Sequence, residues 1–262
     1  MATRPLSLAR PASPSARALA GLSSRKRGAW SALAGGGGGV GLPVLTGLVA
    51  DYDAIAQLDA GALVGVDIAT LTDFSGEGND LTPTDSDRCQ IVSSGIGGKP
   101  AFSFPGTTGY QTTLAAIVTD YTAFIVLQSA TGTGWAVALG GNDTSGTDNS
   151  VYPVSVNNSD KVSQWAGGTF QNGPLVGTGE RSIAARRTSG TGYLNVDGTL
   201  VSAAAVGTRP IALLGLGSKP VSPTSSGNSW NGKIARGLVY NRPLTDLEIA
   251  DVREALFTIY GV

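Results

Sequence analysis

Two pairs of neighbouring residues in this sequence could recognise a sugar: Trp165 with Gln164, and Tyr110 with Gln111. An aromatic ring offers a flat apolar face, and an adjacent amide both donates and accepts. Together these suit the apolar face and the hydroxyls of a pyranose. Both pairs stand in polar, glycine-rich contexts, Ser163-Gln164-Trp165-Ala166-Gly167-Gly168 and Thr108-Gly109-Tyr110-Gln111. The plainer alternative for Trp165 is partial burial under a loop, since aromatic side chains usually pack. Trp135 precedes a buried-type strand and Trp230 opens a strand motif, so both read as packing residues. Cys89, beside Arg88, reads as a small hydrophobe.

Hydrolytic chemistry has less to work with. The sequence holds no His, which excludes Ser-His-Asp triads, Cys-His pairs and imidazole metal ligands. A glycosidase needs two carboxyl groups flanking one bond. Asp51/Asp53 and Asp85/Asp87 have the spacing that puts two side chains on one face of a strand. However, Thr84-Asp85-Ser86-Asp87 is turn-like, and Asp commonly caps its own backbone there. The only four glutamates are Glu77, Glu180, Glu248 and Glu254. The nearest two, Glu248 and Glu254, fall on one predicted helix, so the chain reads as no enzyme. Asn142, Asp143, Asp148, Asn149, Asn157, Asn158 and Asp160 form an oxygen-rich stretch suited to Ca2+. The same residues are standard turn formers, no fixed ligand loop is visible, and no cofactor is expected.

The elements that would position these residues are short strands. Only 14% of the 262 residues are charged and 38 are Gly, a composition of turns and strands rather than helical bundles. Phe124 to Leu127 and Ala136 to Leu139 are continuous apolar runs, and Leu45 to Tyr52, Ala101 to Phe104 and Ile211 to Leu216 add β-type stretches. Tyr193 to Val196 and Thr199 to Val201 flank Asp197-Gly198, the signature of a two-residue hairpin turn. In Lys233 to Tyr240, alternation sets Ile234, Arg236, Leu238 and Tyr240 on one face and Ala235, Gly237 and Val239 on the other. The one predicted helix starts at Thr245-Asp246-Leu247-Glu248, a capping box, and carries Ile249, Val252, Leu256 and Tyr260 as a stripe before Gly261. No apolar run approaches the roughly 18 residues of a membrane span.

Several of these segments resemble the laminin-G-like domains of the concanavalin A-like lectin/glucanase superfamily. The resemblance rests on four pieces in order: Leu48 to Ala54 with Thr72 to Leu81, Gly97 to Gly106, Val196-Asp197-Gly198, and Trp230 to Glu248. Arg236 departs from it, because an acidic residue is common there. The resemblance implies an all-β jelly-roll sandwich of two antiparallel sheets over 45–262, with a short C-terminal helix. Glucanases of that superfamily carry Glu-x-Asp-x-Glu on one strand, which this sequence lacks.

Residues 1–44 form a second region, expected as an extended N-terminal arm. Arg4, Arg10, Arg17, Arg25, Lys26 and Arg27 give residues 1–50 a charge of +6, against −7 for the remainder. Three prolines and the run Gly35 to Gly39 oppose a helix, and no continuous apolar stretch reads as a secretory signal. Arm, hinge and single sandwich look like the layout of a bacteriophage virion protein: a capsid decoration, head fibre or tail fibre. The expected partners are other virion proteins through the arm, further copies of the chain, and a cell-surface polysaccharide. Membrane is not an expected partner, and six arm charges without a groove-filling element argue against nucleic acid. The expected location is the virion surface. The alternatives are a cell-surface or organelle-targeted lectin and, more remotely, a degenerate glycoside hydrolase.

Overall fold

A computed structural model describes residues 41–130, 135–143, 150–222 and 225–262. The basic residues Arg4, Arg10, Arg17, Arg25, Lys26 and Arg27 lie outside the described residues, as do Asp148 and Asn149 of the oxygen-rich stretch. In chain order the first elements are β1 (Leu48–Asp53), α1 (Ala54–Asp59), β2 (Thr82–Pro83), β3 (Gln90–Ile96), β4 (Lys99–Pro105), β5 (Tyr110–Val118) and β6 (Tyr121–Ser129). Next come β7 (Ala136–Asn142), β8 (Ser150–Val156), β9 (Lys161–Trp165), β10 (Gln171–Leu175), β11 (Glu180–Thr188) and β12 (Thr191–Val196). The last are β13 (Thr199–Leu200), β14 (Ala204–Ala205), β15 (Ile211–Leu216), β16 (Lys219–Ser222), β17 (Ser225–Gly227), β18 (Asn231–Tyr240) and α2 (Asp246–Tyr260).

The strands form two antiparallel sheets in an open sandwich. The nine-stranded sheet runs β13-β12-β11-β6-β18-β4-β3, with β1 added on β18 and β14 on β12. The seven-stranded sheet runs β10-β9-β8-β7-β15-β5-β2, and β16-β17 form a separate hairpin. Between the sheets lie Tyr52, Phe102, Tyr121, Ile125, Leu127, Val154, Leu194, Leu214 and Trp230, among others. A second core, with Phe124, Val126, Leu238, Val252, Leu256 and Tyr260, joins the outer face of the nine-stranded sheet to α2. Strand β6 therefore buries both faces, which is why its sequence is a continuous apolar run instead of an alternation.

Local signals set several of these elements. Asp197 and Gly198 both have positive φ (49° and 90°), closing the β12–β13 hairpin as expected. Thr245 caps α2 with the reciprocal Glu248 contact, and Gly261 ends it in the left-handed region. The first strand starts three residues later than the sequence predicts. Gly47, at φ 80°, turns the chain, and the Leu48 N–H closes back on the Leu45 carbonyl. Helix α1 was not foreseen; it is started by Asp53, whose carboxylate accepts from the Ile55 and Ala56 N–H groups.

One alternation is corrected. A bulge in β18 between Ile234 and Arg236 shifts the face pattern. Ile234 joins the inter-sheet core, while Ala235 joins Leu238 and Tyr240 in the core beneath α2. Asp51 and Asp53 do share a face, and what they meet is Arg236. Arg236 donates Nε to Asp51 Oδ1 at 2.8 Å and Nη2 to Oδ2 at 2.6 Å, with Nη1 3.1 Å from Asp53 Oδ2. All three side chains are buried. Tyr260 donates to Asp53, and Asp73 accepts from the Asp51 N–H. Removing one member strands the rest without countercharge. Arg236→Met should therefore cost about 3–5 kcal/mol and lower the melting temperature on the order of 10 °C. Combining it with Asp51→Asn and Asp53→Asn should restore most of that loss; calorimetry of the single and triple variants checks this.

The cap of α2 is pH-sensitive. Glu248 takes a two-pronged bond from Arg242 (3.1 and 2.6 Å) and accepts from the Thr245 N–H at 2.8 Å. The Arg242 guanidinium and the capping bond hold its carboxyl down at about 2, below the usual carboxylate range. A depressed carboxylate stabilises the fold above its unfolded pKa, and that contribution fades as pH falls through the folded value. Glu248→Gln should thus cost about 1 kcal/mol at neutral pH. Urea titrations of both forms should converge as pH drops from about 4.5 to about 2.

Candidate functional site

Trp165 ends β9 and stands opposite Tyr152 of β8 in the ladder. The short loop Ala166 to Thr169 then returns the chain to β10, bringing Phe170 beside it. The rings of Trp165, Tyr152 and Phe170 lie nearly parallel, with angles of 25°, 15° and 11° and centroids 5.3 to 6.4 Å apart. Trp135 meets Tyr152 and Phe170 edge-on, at 5.5 and 4.9 Å. Each such pair contributes about 0.5–1.5 kcal/mol beyond simple burial, so the cluster is stiff. Tyr152 is buried, while Trp135, Trp165 and Phe170 are half-buried. The result is a four-ring surface at one side of the seven-stranded sheet.

Backbone docking holds this surface in place. Ala166 and Gly168 both donate to the Val206 carbonyl, and Arg209 N–H donates to the Ala166 carbonyl. This approach needs glycine: a Cβ on Gly168 would stand 2.5 Å from the Ala205 oxygen, and one on Gly207 2.3 Å from the Ala166 oxygen. The docked segment delivers Arg209, whose guanidinium lies 4.8 Å over the Trp165 ring centre. The indole Nε1 donates to the Gly168 carbonyl at 2.8 Å, fixing the ring's orientation.

The amide partner expected beside Trp165 points the other way. Gln164 is fully buried between the sheets, donating to Tyr121 Oη and the Arg186 carbonyl, because adjacent strand residues face opposite sides. Gln171 faces it across the ladder. Arg187 lies against the Tyr121 ring, at 4.7 Å, and burial pulls its guanidinium below its ordinary pKa. Gln164 is thus part of an interior polar layer beneath the aromatic surface and has no exposure to a ligand.

Tyr110 and Gln111 are also corrected as ligand contacts. Tyr110 is fully buried, packs edge-on to Phe104, donates to the Ile68 carbonyl and accepts from the Cys89 N–H. It has no open face for a sugar. Gln111 is buried too. Strand β5 lies four strands from β9, roughly 19 Å at normal strand spacing, so the two predicted pairs do not converge. Between them the β16–β17 hairpin covers β7 and β15, where Cβ atoms on Gly140 or Gly215 would meet Pro220 at 3.0 and 2.9 Å.

The structure brings Tyr152, Phe170 and Arg209 to Trp165, with Trp135 against Tyr152 and Phe170, and the sequence predicts none of these contacts. Phe170 carried a usable signal: it follows Trp165 across a Gly-Gly turn, which places both on one face of a hairpin. Tyr152 and Arg209 carried none, since their approach depends on register. In the oxygen-rich stretch, Asn157 accepts from the Ser159 and Lys161 N–H groups and donates to Asn172, as a turn former does. Among the described residues no group of three His, Cys, Asp or Glu side chains is placed to hold a metal. Burial pushes the Cys89 thiol up to about 12.

No family model matches this sequence, and no curated protein does. Solved structures do share its fold. A sialidase of Trypanosoma rangeli matches with TM-score 0.56 and 14% identity, over 81% of this chain and 33% of the sialidase. Domain 4 of AbnA, a GH43 extracellular arabinanase from Geobacillus stearothermophilus in complex with arabinotriose, matches with TM-score 0.56 and 16% identity. That match covers 78% of this chain and 97% of the domain. A GH54 α-L-arabinofuranosidase matches with TM-score 0.58 and 14% identity, over 74% of this chain and 51% of that one. This chain thus spans about a third of the sialidase and half of the arabinofuranosidase.

At these identities the likeness establishes the fold: a β-sandwich of the kind found in carbohydrate-active proteins. The finer part of the resemblance, to laminin-G-like and virion proteins, gains no support from them. They also overturn the expectation of no enzyme, because the fold is one that glycoside hydrolase chains carry.

Proposed function

We propose that the sandwich is a saccharide-recognition domain of a carbohydrate-active protein, holding a neutral oligosaccharide against the Trp165–Phe170 surface. The observation that carries this reading is a rigid, partly exposed cluster of four aromatic rings, with the Trp165 indole tied to its own loop and a guanidinium over its ring. Such a surface offers the C–H faces of a sugar an apolar partner. The match to nearly the whole of an arabinanase domain seen in complex with arabinotriose supports a short pentose or hexose chain as ligand.

Calorimetric titration of the full chain with arabinotriose and a glycan panel tests it. Micromolar to millimolar binding is expected, with Trp165→Ala and Phe170→Ala each weakening it about tenfold or more (about 1.4 kcal/mol). A wild type that binds no glycan, or variants that bind equally, would overturn the proposal. Release of reducing ends from the same panel decides whether binding in this chain is coupled to hydrolysis.

A second reading, display on a virion surface, is favoured by one feature: the charge split between the basic segment 1–44 and the acidic remainder. There the basic residues grip an acidic partner and further copies multiply weak glycan contacts. Deleting residues 1–40 should leave melting unchanged while abolishing co-sedimentation with the parent assembly. A deletion that melts early, or one that still co-sediments, speaks against an anchoring arm.

A further inference from the structure

The opposite sheet carries a groove that the aromatic surface does not involve. Its floor is one register row across three strands: Ser103 of β4, Lys233 of β18 and Gln128 of β6, with Lys233 directly opposite both neighbours. Asn231 and Thr178 complete the polar wall of a cavity of about 310 Å³, within the range of small-molecule sites. Gln128 Nε2 donates to the Thr178 carbonyl at 3.2 Å, fixing the amide at the groove edge. Beyond Gln128 the row continues to Glu180, whose carboxylate accepts from the Gly97 N–H at 3.1 Å. That bond ties the β3–β4 turn to the start of β11.

Lys233 sets the sign of the groove. Three other basic side chains over this sheet meet carboxylates: Arg181 with Asp197, Arg186 with Asp246 and Arg242 with Glu248, at 2.6 to 2.8 Å, while Arg187 lies against the Tyr121 ring. Among the described ion pairs Lys233 has no such partner, although it lies on a central strand and is half-buried. Glu180 is two strands away, roughly 10 Å, with its oxygen committed to Gly97. The groove thus combines one unmatched ammonium with amide and hydroxyl groups and no exposed aromatic ring.

We infer that this groove is a second ligand site, taking a carboxylate-bearing sugar residue whose carboxylate meets Lys233 and whose hydroxyls meet Gln128, Asn231 and Ser103. An ammonium is a strongly hydrated point charge and suits a carboxylate without demanding a two-pronged geometry. A neutral sugar leaves that charge unmatched and is selected against. This inference stands apart from the aromatic site, since the two lie on different sheets.

Saturation-transfer NMR and calorimetry on the full chain test it, with methyl glucuronide, methyl galacturonide, N-acetylneuraminic acid and methyl glucoside as probes. The acidic sugars should bind, and which of them binds best identifies the source of the carboxylate. Lys233→Met should weaken them about tenfold, and raising salt should weaken them further. Trp165→Ala should leave them unchanged, which separates this result from a failure at the aromatic surface. Gln128→Ala gives a second reading if Lys233→Met melts early, with a loss of about threefold or more expected. Equal binding of methyl glucoside and the acidic sugars, no binding at all, or unchanged affinity in both groove variants would overturn the inference.

Discussion

Arg236 forms the ion pair on which the organisation of the nine-stranded sheet depends. It reaches Asp51 across 185 residues of sequence and does so in a buried setting. Burying these charges is costly, so the geometry must be satisfied all at once. Asp53, its second partner, caps α1 and receives the Tyr260 hydroxyl from the last turn of α2. Asp51 takes its backbone contact from Asp73, which in turn holds the Ser75 and Asn79 N–H groups. The first strand, the last strand, both helices and the Ser75–Asn79 loop therefore share one electrostatic condition. A strand slip at β1 would break several contacts together, which makes the register specific.

Glycine plays the matching part on the seven-stranded sheet. The loop bearing Trp165 approaches residues 205–209 at distances that leave no room for a side chain at Gly168 or Gly207. The same is true of Gly140 and Gly215 beneath Pro220. These contacts also bury Ala166 and Val206 fully. Their effect is positional, because they bring Arg209 over Trp165 and keep the β16–β17 hairpin over β7 and β15. An aromatic cluster built this way is set before any ligand arrives, and a preorganised surface loses less ordering entropy on binding.

The shared fold with glycoside hydrolase chains and an arabinanase domain says how the backbone is arranged. What the chain does is decided by the side chains on it. Here the two i, i+2 aspartates that might have looked catalytic are neutralised by Arg236 inside the fold. The surfaces offered outward are instead an aromatic one and a polar, cationic one, on opposite sheets.

Much of the fold was legible in the residues. The Asp197-Gly198 turn, the Thr245–Glu248 capping box and the apolar runs of β6, β7 and β15 are conformations of adjacent residues. Local sterics and local hydrogen bonds determine them, so the sequence states them directly. Trp165 was legible as an aromatic in a glycine loop for the same reason. Tertiary structure alone decided its surroundings: Tyr152 and Arg209 arrive through register and backbone docking, and Gln164 is turned inward by the pleat. It also decided that Tyr110 is core, that a bulge puts Ala235 instead of Ile234 on the face of Leu238 and Tyr240, and that Lys233 stands in a row with Ser103 and Gln128. Each of these depends on which strands become neighbours, and a single inserted residue reverses every face beyond it. That information is held in contacts between distant segments, and no local pattern carries it.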